Sequence, residues 1–171
     1  ISRRVFINNL DIEYLGVNGL LTNILSMLSL VEGGIGASIV YNMYKPLAED
    51  DKPAIIALVQ LYKKLYMVVA AIVFAISLVI YPFLGKIMKD SASVSYITII
   101  YFIFVAKNIV SYLNAHKWSL INADQKGYVL NKYNLRFNIG TYIIKILVLQ
   151  FTKNYVLYIV MEFIISLIQT I

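Results

Sequence analysis

Cysteine is absent from these 171 residues, histidine occurs once, as His116, and acidic residues number 9 against 15 Lys and Arg. Without cysteine there are no disulfides, thiolate metal sites or cysteine nucleophiles, although the compartment stays open. A lone histidine, with no acidic cluster at metal-ligand spacing, gives zinc or nucleophilic chemistry little support. No phosphate-cradling glycine loop or nucleotide fingerprint occurs, which argues against ATP-driven work by this segment. The most informative absence is of charge, since no charged residue lies between Lys64 and Lys86. Wound as an α-helix, Leu65 to Gly85 reaches about 30 Å, the thickness of a bilayer's hydrocarbon core.

What is present agrees with a membrane. The chain is 60% hydrophobic and 14% charged, with a mean hydropathy of +0.76. A soluble domain of this length has no core large enough to hide that much apolar surface. A net charge of +6 raises the question of nucleic acid. Because the cations are scattered among apolar spans, lipid headgroups and membrane orientation are the better reading, and no nucleic-acid partner is expected. The chain opens on Ile1 and ends in an apolar stretch at Ile171, as expected of an excerpt from a longer polytopic protein.

Hydropathy and turn signals divide the chain into an all-α, polytopic transmembrane bundle of about six spans, with no repeat, low-complexity tract or soluble domain between them. The first, near 1–10, reads as the end of a span and is followed by a polar turn at Asp11 and Glu13. The second, near 14–44, is longer than a straight span needs, so it is expected to tilt, to extend past the interface or to break at the glycines after Glu32. Asp50 or Asp51 is placed to cap an interfacial amphipathic helix near 51–64, with Pro53 in its first turn. Its apolar Ile55, Ile56, Leu58, Val59 and Tyr62 recur at helical spacing, and a soluble linker helix is the plain alternative. The remaining spans lie near 65–85, 96–115, 137–152 and 155–171, with Pro82 tolerated at the exit of the third. A polar stretch, His116 to Arg136, is expected to separate the fourth from the fifth, and Lys153 and Asn154 make a tight turn into the sixth.

Orientation follows from the cations of alternate loops. Lys45, Lys52, Lys63, Lys64, Lys117, Lys126, Lys132 and Arg136 follow spans two and four, whereas only Lys86, Lys89 and Lys153 follow spans one, three and five. The richer set belongs in the cytoplasm. Four cations remain, Arg3, Arg4, Lys107 and Lys145, all within spans and opposed there by Glu32 and Glu162. A cation near the bilayer centre costs about 2.5 to 3.5 kcal/mol on insertion scales unless it faces protein or water. These four are therefore expected to face an interior with an excess of two positive charges, a balance that suits an anionic cargo.

Each candidate has a plainer alternative. Arg3 and Arg4 either reach the cavity or snorkel to a surface. Lys107, Ser111, Asn114 and Trp118 share one helical stripe, flanked by Asn108 and Tyr112, so that half of the fourth span reads as wet. Lys145 either lines the cavity or pairs simply with Glu162 or Glu32. The small-residue stripe Thr22, Ser26, Ser29, Gly33 and Gly36 is expected to serve close helix packing. Glu32 beside Gly33 either gates, carries a proton or satisfies a neighbouring cation. Asp124 is expected to cap a helix or form a turn.

Six segments carry a resemblance. Ile1-Ser2-Arg3-Arg4-Val5-Phe6-Ile7, Glu13 to Leu20 and Leu28 to Gly36 resemble the start of bacterial polysaccharide-export flippases. So do Tyr44-Lys45-Pro46-Leu47-Ala48-Glu49, the Lys-Lys-x-Tyr of Lys63 to Tyr66, and Ala123-Asp124-Gln125-Lys126-Gly127-Tyr128. These are the Wzx-like oligosaccharide flippases of the MOP superfamily, related to the MATE exporters; Gly33 and the order Ala37-Ser38 depart from their pattern. The resemblance implies the N-terminal lobe of a multi-pass protein of the bacterial cytoplasmic membrane, whose second lobe of about six helices is a partner. It implies a lipid-linked oligosaccharide, carried on undecaprenyl pyrophosphate and moved outward by alternating access. Other polysaccharide-assembly proteins are further implied partners, and no cofactor or covalent step is implied. Arg3 matches the family's arginine in the first span and is the first choice for the pyrophosphate, with Arg4 and Lys107 next and Lys145 after them. Glu32, Gly33 and Gly36 are the implied gating residues, and Asn108 and Ser111, from the wet stripe of the fourth span, are the expected cavity residues beside them.

Three other readings compete. A MATE-like drug or cation exporter predicts an acidic cavity. A membrane enzyme of polysaccharide assembly, a polymerase or O-acyltransferase, predicts a long periplasmic loop or a histidine-centred site. A membrane scaffold leaves intramembrane cations explained only as ion pairs.

Overall fold

Long apolar stretches separated by short turn signals fold here as helices. The computed structural model describes residues 6, 10, 12–28, 34–84 and 96–170. Among these, six α-helices and no strand occur: α1 (Ile12–Leu28), α2 (Ile35–Ala48), α3 (Lys52–Ile80), α4 (Ile97–Ala123), α5 (Gly127–Thr152) and α6 (Tyr155–Thr170). A short 3₁₀ turn, Tyr81–Phe83, carries Pro82 just beyond α3. Arg3, Arg4, Glu32 and Gly33, with the expected first span over most of its length, lie outside the described residues.

Local chemistry explains several boundaries. The long second segment divides, with α2 starting directly after Gly34, whose φ of 83° is left-handed and open to glycine. Asp51 caps α3 by accepting from the Ala54 N–H at 3.1 Å, with Pro53 in the first turn where a missing N–H costs nothing. Asn154 opens α6, its Oδ1 accepting from the N–H groups of Val156 at 2.9 Å and Leu157 at 3.2 Å.

Two boundaries differ from the sequence reading. The amphipathic stretch near 51–64 is no separate element but the first half of α3, because no glycine or proline interrupts the chain between Ala54 and Ile80. The polar stretch from His116 to Arg136 is almost wholly helical, broken only at Asp124 to Lys126. Its charged Lys117, Lys132 and Arg136 lie on exposed faces, where polarity continues a helix as readily as it ends one.

Helix α4 is the centre of the bundle, packing most extensively on α3 and next on α2 and α6, with α1 and α5 also touching it. Helices α3 and α4 run antiparallel. The Tyr101 hydroxyl donates to the Ser77 carbonyl at 2.8 Å, and Tyr81 and Thr98 meet at 3.3 Å at the far end. That pairing brings the start of α3 beside the end of α4, so the α2–α3 and α4–α5 turns share one end of the bundle. The core holds Tyr66, Val73, Ile100, Tyr101 and Val105 between them. On α6, Tyr155 donates to the Asn18 Oδ1 of α1 at 3.1 Å, and its ring meets Phe6 edge-on.

Two helical segments among the described residues are long and apolar enough to cross a membrane, Lys52–Phe83 and Ile97–Ala123. Only 28% of the most apolar stretch of each is buried inside the protein, so a buried core does not account for their composition. Helix α3 exposes Leu61, Leu65, Val68, Ile72 and Val79 along one stripe while it buries Tyr62, Tyr66, Val69 and Val73 on another. The other helices fall short of a span by length or charge: α1 and α6 have 17 and 16 residues, and α5 carries Lys132, Arg136 and Lys145.

Candidate functional site

The apolar bundle holds three charged side chains at one point. Lys107 projects from α4, Lys145 from α5 and Glu162 from α6, and the carboxylate serves both ammonium groups. Glu162 Oε2 accepts from Lys145 Nζ at 2.5 Å, and its other oxygen, Oε1, accepts from Lys107 Nζ. Lys145 also lies over the ring of Tyr158, 4.4 Å from its centroid, which adds a cation–π contact.

Burial grades the three. The side chain of Lys145 is 12% exposed, Glu162 21% and Lys107 37%. Lys145 is thus the anchored partner and Lys107 the accessible one. Two cations against one anion leave the group with a formal excess of one positive charge. The excess of two expected from the sequence counts Arg3, Arg4 and Glu32 as well, which lie outside the described residues.

Beside the triad lies a cavity of about 310 Å³, walled by Lys107, Asn108 and Phe104 of α4 and by Asn18, Thr22 and Ser26 of α1. The α1 residues recur every fourth position and form one stripe. Thr22 and Ser26 donate back to the Asn18 and Thr22 carbonyls at 2.7 and 2.8 Å, and the Thr22 hydroxyl oxygen keeps lone pairs to accept with. Of the stripe expected to serve close helix packing, Thr22 and Ser26 are exposed at the cavity wall, while Ser29 and Gly33 lie outside the described residues. Gly36, from the same expected stripe, lies elsewhere.

A second, larger cavity of about 660 Å³ opens farther along α4, toward its C-terminal end. Gly36, Tyr41 and Tyr44 of α2 form one side, Tyr66 of α3 lies between, and Ser111 and Trp118 of α4 face them. The stripe read from the sequence therefore divides: Lys107 serves the charged cavity, and Ser111 and Trp118 serve the aromatic one. Asn114, on the same stripe, instead donates to the Val110 carbonyl at 3.1 Å. The expected α4–α5 turn is held by an Asp124–Lys126 ion pair at 2.5 Å, with Asn122 Oδ1 against Gly127, where a side chain would collide at 2.8 Å.

Of the candidate residues, then, Lys107, Lys145 and Asn108 come together at one cavity, and Gly36 and Ser111 at the other. Glu162 completes the first although sequence reasoning offered it only as a possible ion-pair partner; its signal is that it alone is acidic after Asp124. Asn18 was missed, and its signal is the four-residue spacing with Thr22 and Ser26. No family model, curated protein or solved structure matches the chain.

Proposed function

We propose that this chain is one lobe of a multi-span flippase of the bacterial cytoplasmic membrane, carrying an anionic, pyrophosphate-linked oligosaccharide lipid across by alternating access. The observation that carries this reading is the shared carboxylate of Glu162 between Lys107 and Lys145, beside a polar cavity in an otherwise apolar bundle. Placing two lysines at membrane depth is expensive, and one glutamate neutralises only one of them. The remaining charge is matched by a ligand that brings its own negative charge.

The geometry suggests how an anion binds without leaving charge unpaired. Glu162 keeps Lys145, whose side chain is the more enclosed, and Lys107 turns from the carboxylate to the phosphate oxygens. An ammonium and a phosphate oxygen at 4 Å attract by about 4 kcal/mol at an effective dielectric constant of 20. A lysine offers three donors on a flexible stem, so it follows a headgroup that moves. Asn18, Thr22, Ser26 and Asn108 supply neutral hydrogen-bonding partners along the way, and the lipid tail stays in the bilayer. A cationic cargo meets a positive wall instead.

Cells lacking their own exporter, supplied with the full-length protein, test the proposal. Lys107→Ala, at membrane abundance equal to wild type, is expected to lower surface polysaccharide about tenfold, the loss of one ammonium–phosphate contact, and Lys145→Ala to lower it too, because Glu162 then holds Lys107 away from the phosphate. Lipid-linked precursor is expected to accumulate in the same cells. Normal export by both variants sinks the residue assignment, and failure of the wild type to restore export points to another cargo.

A further inference from the structure

The charged cavity leaves the larger one without a role, and its chemistry differs. Among the described residues, no charged side chain lines it, which disfavours an ionic ligand. Its aromatic residues are all tyrosine or tryptophan, each an apolar ring with a polar edge. Tyr41 and Tyr44 stand one turn apart on α2 and face Trp118 across the opening, with Ser111, Ser119 and Asn122 along the α4 wall. Among the described residues, the hydroxyls of Tyr41 and Tyr44 and the indole N–H of Trp118 make no hydrogen bond. Ser119 donates to the Ala115 carbonyl at 3.1 Å and still has lone pairs to accept with.

Flat aromatic faces together with uncharged hydroxyl and amide groups match one ligand class, a neutral sugar ring. The C–H face of a pyranose stacks on an aromatic plane, and its equatorial hydroxyls exchange hydrogen bonds with serine, asparagine and tyrosine. A volume of about 660 Å³ falls within the range of small-molecule sites. We infer, on the glycan-transport reading above, that the Tyr41–Tyr44–Trp118 cavity binds a neutral pyranose of the glycan, separately from the charged end of the same ligand.

Position supports the division of labour. Lys107 and Trp118 are eleven residues apart on a single helix, a rise of about 16 Å. The two cavities therefore address different parts of a long ligand and not two sides of one ring. The sugar cavity lies toward the bundle end that carries the α2–α3 and α4–α5 turns, where Lys45, Lys52, Lys117 and Lys126 gather. By the charge rule that end is cytoplasmic, the side from which the glycan enters. Membrane proteins also place Tyr and Trp at their interfaces as a belt. Tyr41 and Tyr44 are 77% and 48% exposed, as belt residues are, but with Trp118 they also line a concavity among α2, α3 and α4.

The test uses Trp118, the sole tryptophan of these 171 residues, as its own reporter. The protein in lipid nanodiscs, free of sugar-based detergent, is titrated with maltotriose, chitotriose and mannotriose, with sorbitol as an acyclic control. At least one trisaccharide is expected to change Trp118 fluorescence saturably in the millimolar range, and sorbitol is not. Tyr44→Ala is expected to weaken that binding about fivefold, the loss of one aromatic face, while Tyr44→Phe retains it. Inorganic pyrophosphate, followed by calorimetry on wild type and Lys107→Ala, reads the charged cavity independently. Pyrophosphate binding without any trisaccharide response overturns the sugar site alone. A trisaccharide response that Tyr41→Ala and Tyr44→Ala together leave unchanged also overturns it, as an interfacial belt predicts. Sugar binding without pyrophosphate binding keeps the sugar site and removes the anionic-cargo reading.

Discussion

Glu162 holds one ammonium group on each carboxylate oxygen, and the three charges are unequally replaceable. Glu162→Gln leaves Lys107 and Lys145 facing each other with no counter-charge, and is expected to destabilise the protein by about 3 kcal/mol. Lys107→Met leaves the better-buried Lys145–Glu162 pair intact and removes only its more exposed member, at an expected cost of about 1 kcal/mol or less. Denaturant unfolding of the purified protein, followed by circular dichroism, gives both values. A Lys107→Met cost equal to that of Glu162→Gln contradicts the assignment of Lys145 as the anchored partner. Sequence reading reached Lys107 and Ser111 because one helical stripe carries them, and Asn108 because it flanks that stripe. It left the partner of Lys145 open because the pairing spans 17 residues to Glu162, and 55 from Lys107, and helical spacing does not reach across elements.

At the scale of elements, α4 joins the molecule, since it touches every other helix and carries residues of both cavities. Its polar C-terminal half made it read as a loop from His116 onward. The structure keeps it helical to Ala123, with His116 and Ser119 buried among neighbours and Lys117 turned outward. Hydropathy averages over a window and so confuses a polar helix face with a turn. Capping signals are more local and were read more securely, as Asp51 at α3 shows. The turn between α5 and α6 rests on the same chemistry. Asn154→Ala removes an acceptor used by two backbone N–H groups, and is expected to cost about 1 kcal/mol. Asn154→Asp keeps the acceptor and is expected to stay near wild type. Unfolding midpoints of the two variants check this, and equal losses in both would place the turn's stability elsewhere.

The whole molecule exposes apolar surface along its long helices and carries Lys45, Lys52, Lys117 and Lys126 toward one end. Large exposed apolar faces on α3 and α5 call for lipid or a partner. The antiparallel α3–α4 pairing sets the α2–α3 and α4–α5 turns together, with the α5–α6 turn at the opposite end of α5. Because the chain has no cysteine, single substitutions report side directly. Glu49→Cys and Asp124→Cys are expected to escape a membrane-impermeant maleimide in intact cells and to react after permeabilisation. Thr152→Cys is expected to react in intact cells. Equal labelling of all three without permeabilisation contradicts the orientation.

Transport itself tests the central claim most directly. Proteoliposomes containing the full-length protein and a labelled undecaprenyl-pyrophosphate oligosaccharide report movement between leaflets by protection from an external glycan-cleaving enzyme. Wild type is expected to move the lipid, and the Lys107→Ala, Lys145→Ala double variant, reconstituted in equal amount, to fall to the rate of protein-free vesicles. Equal rates for wild type and the double variant would show that the paired lysines carry no cargo.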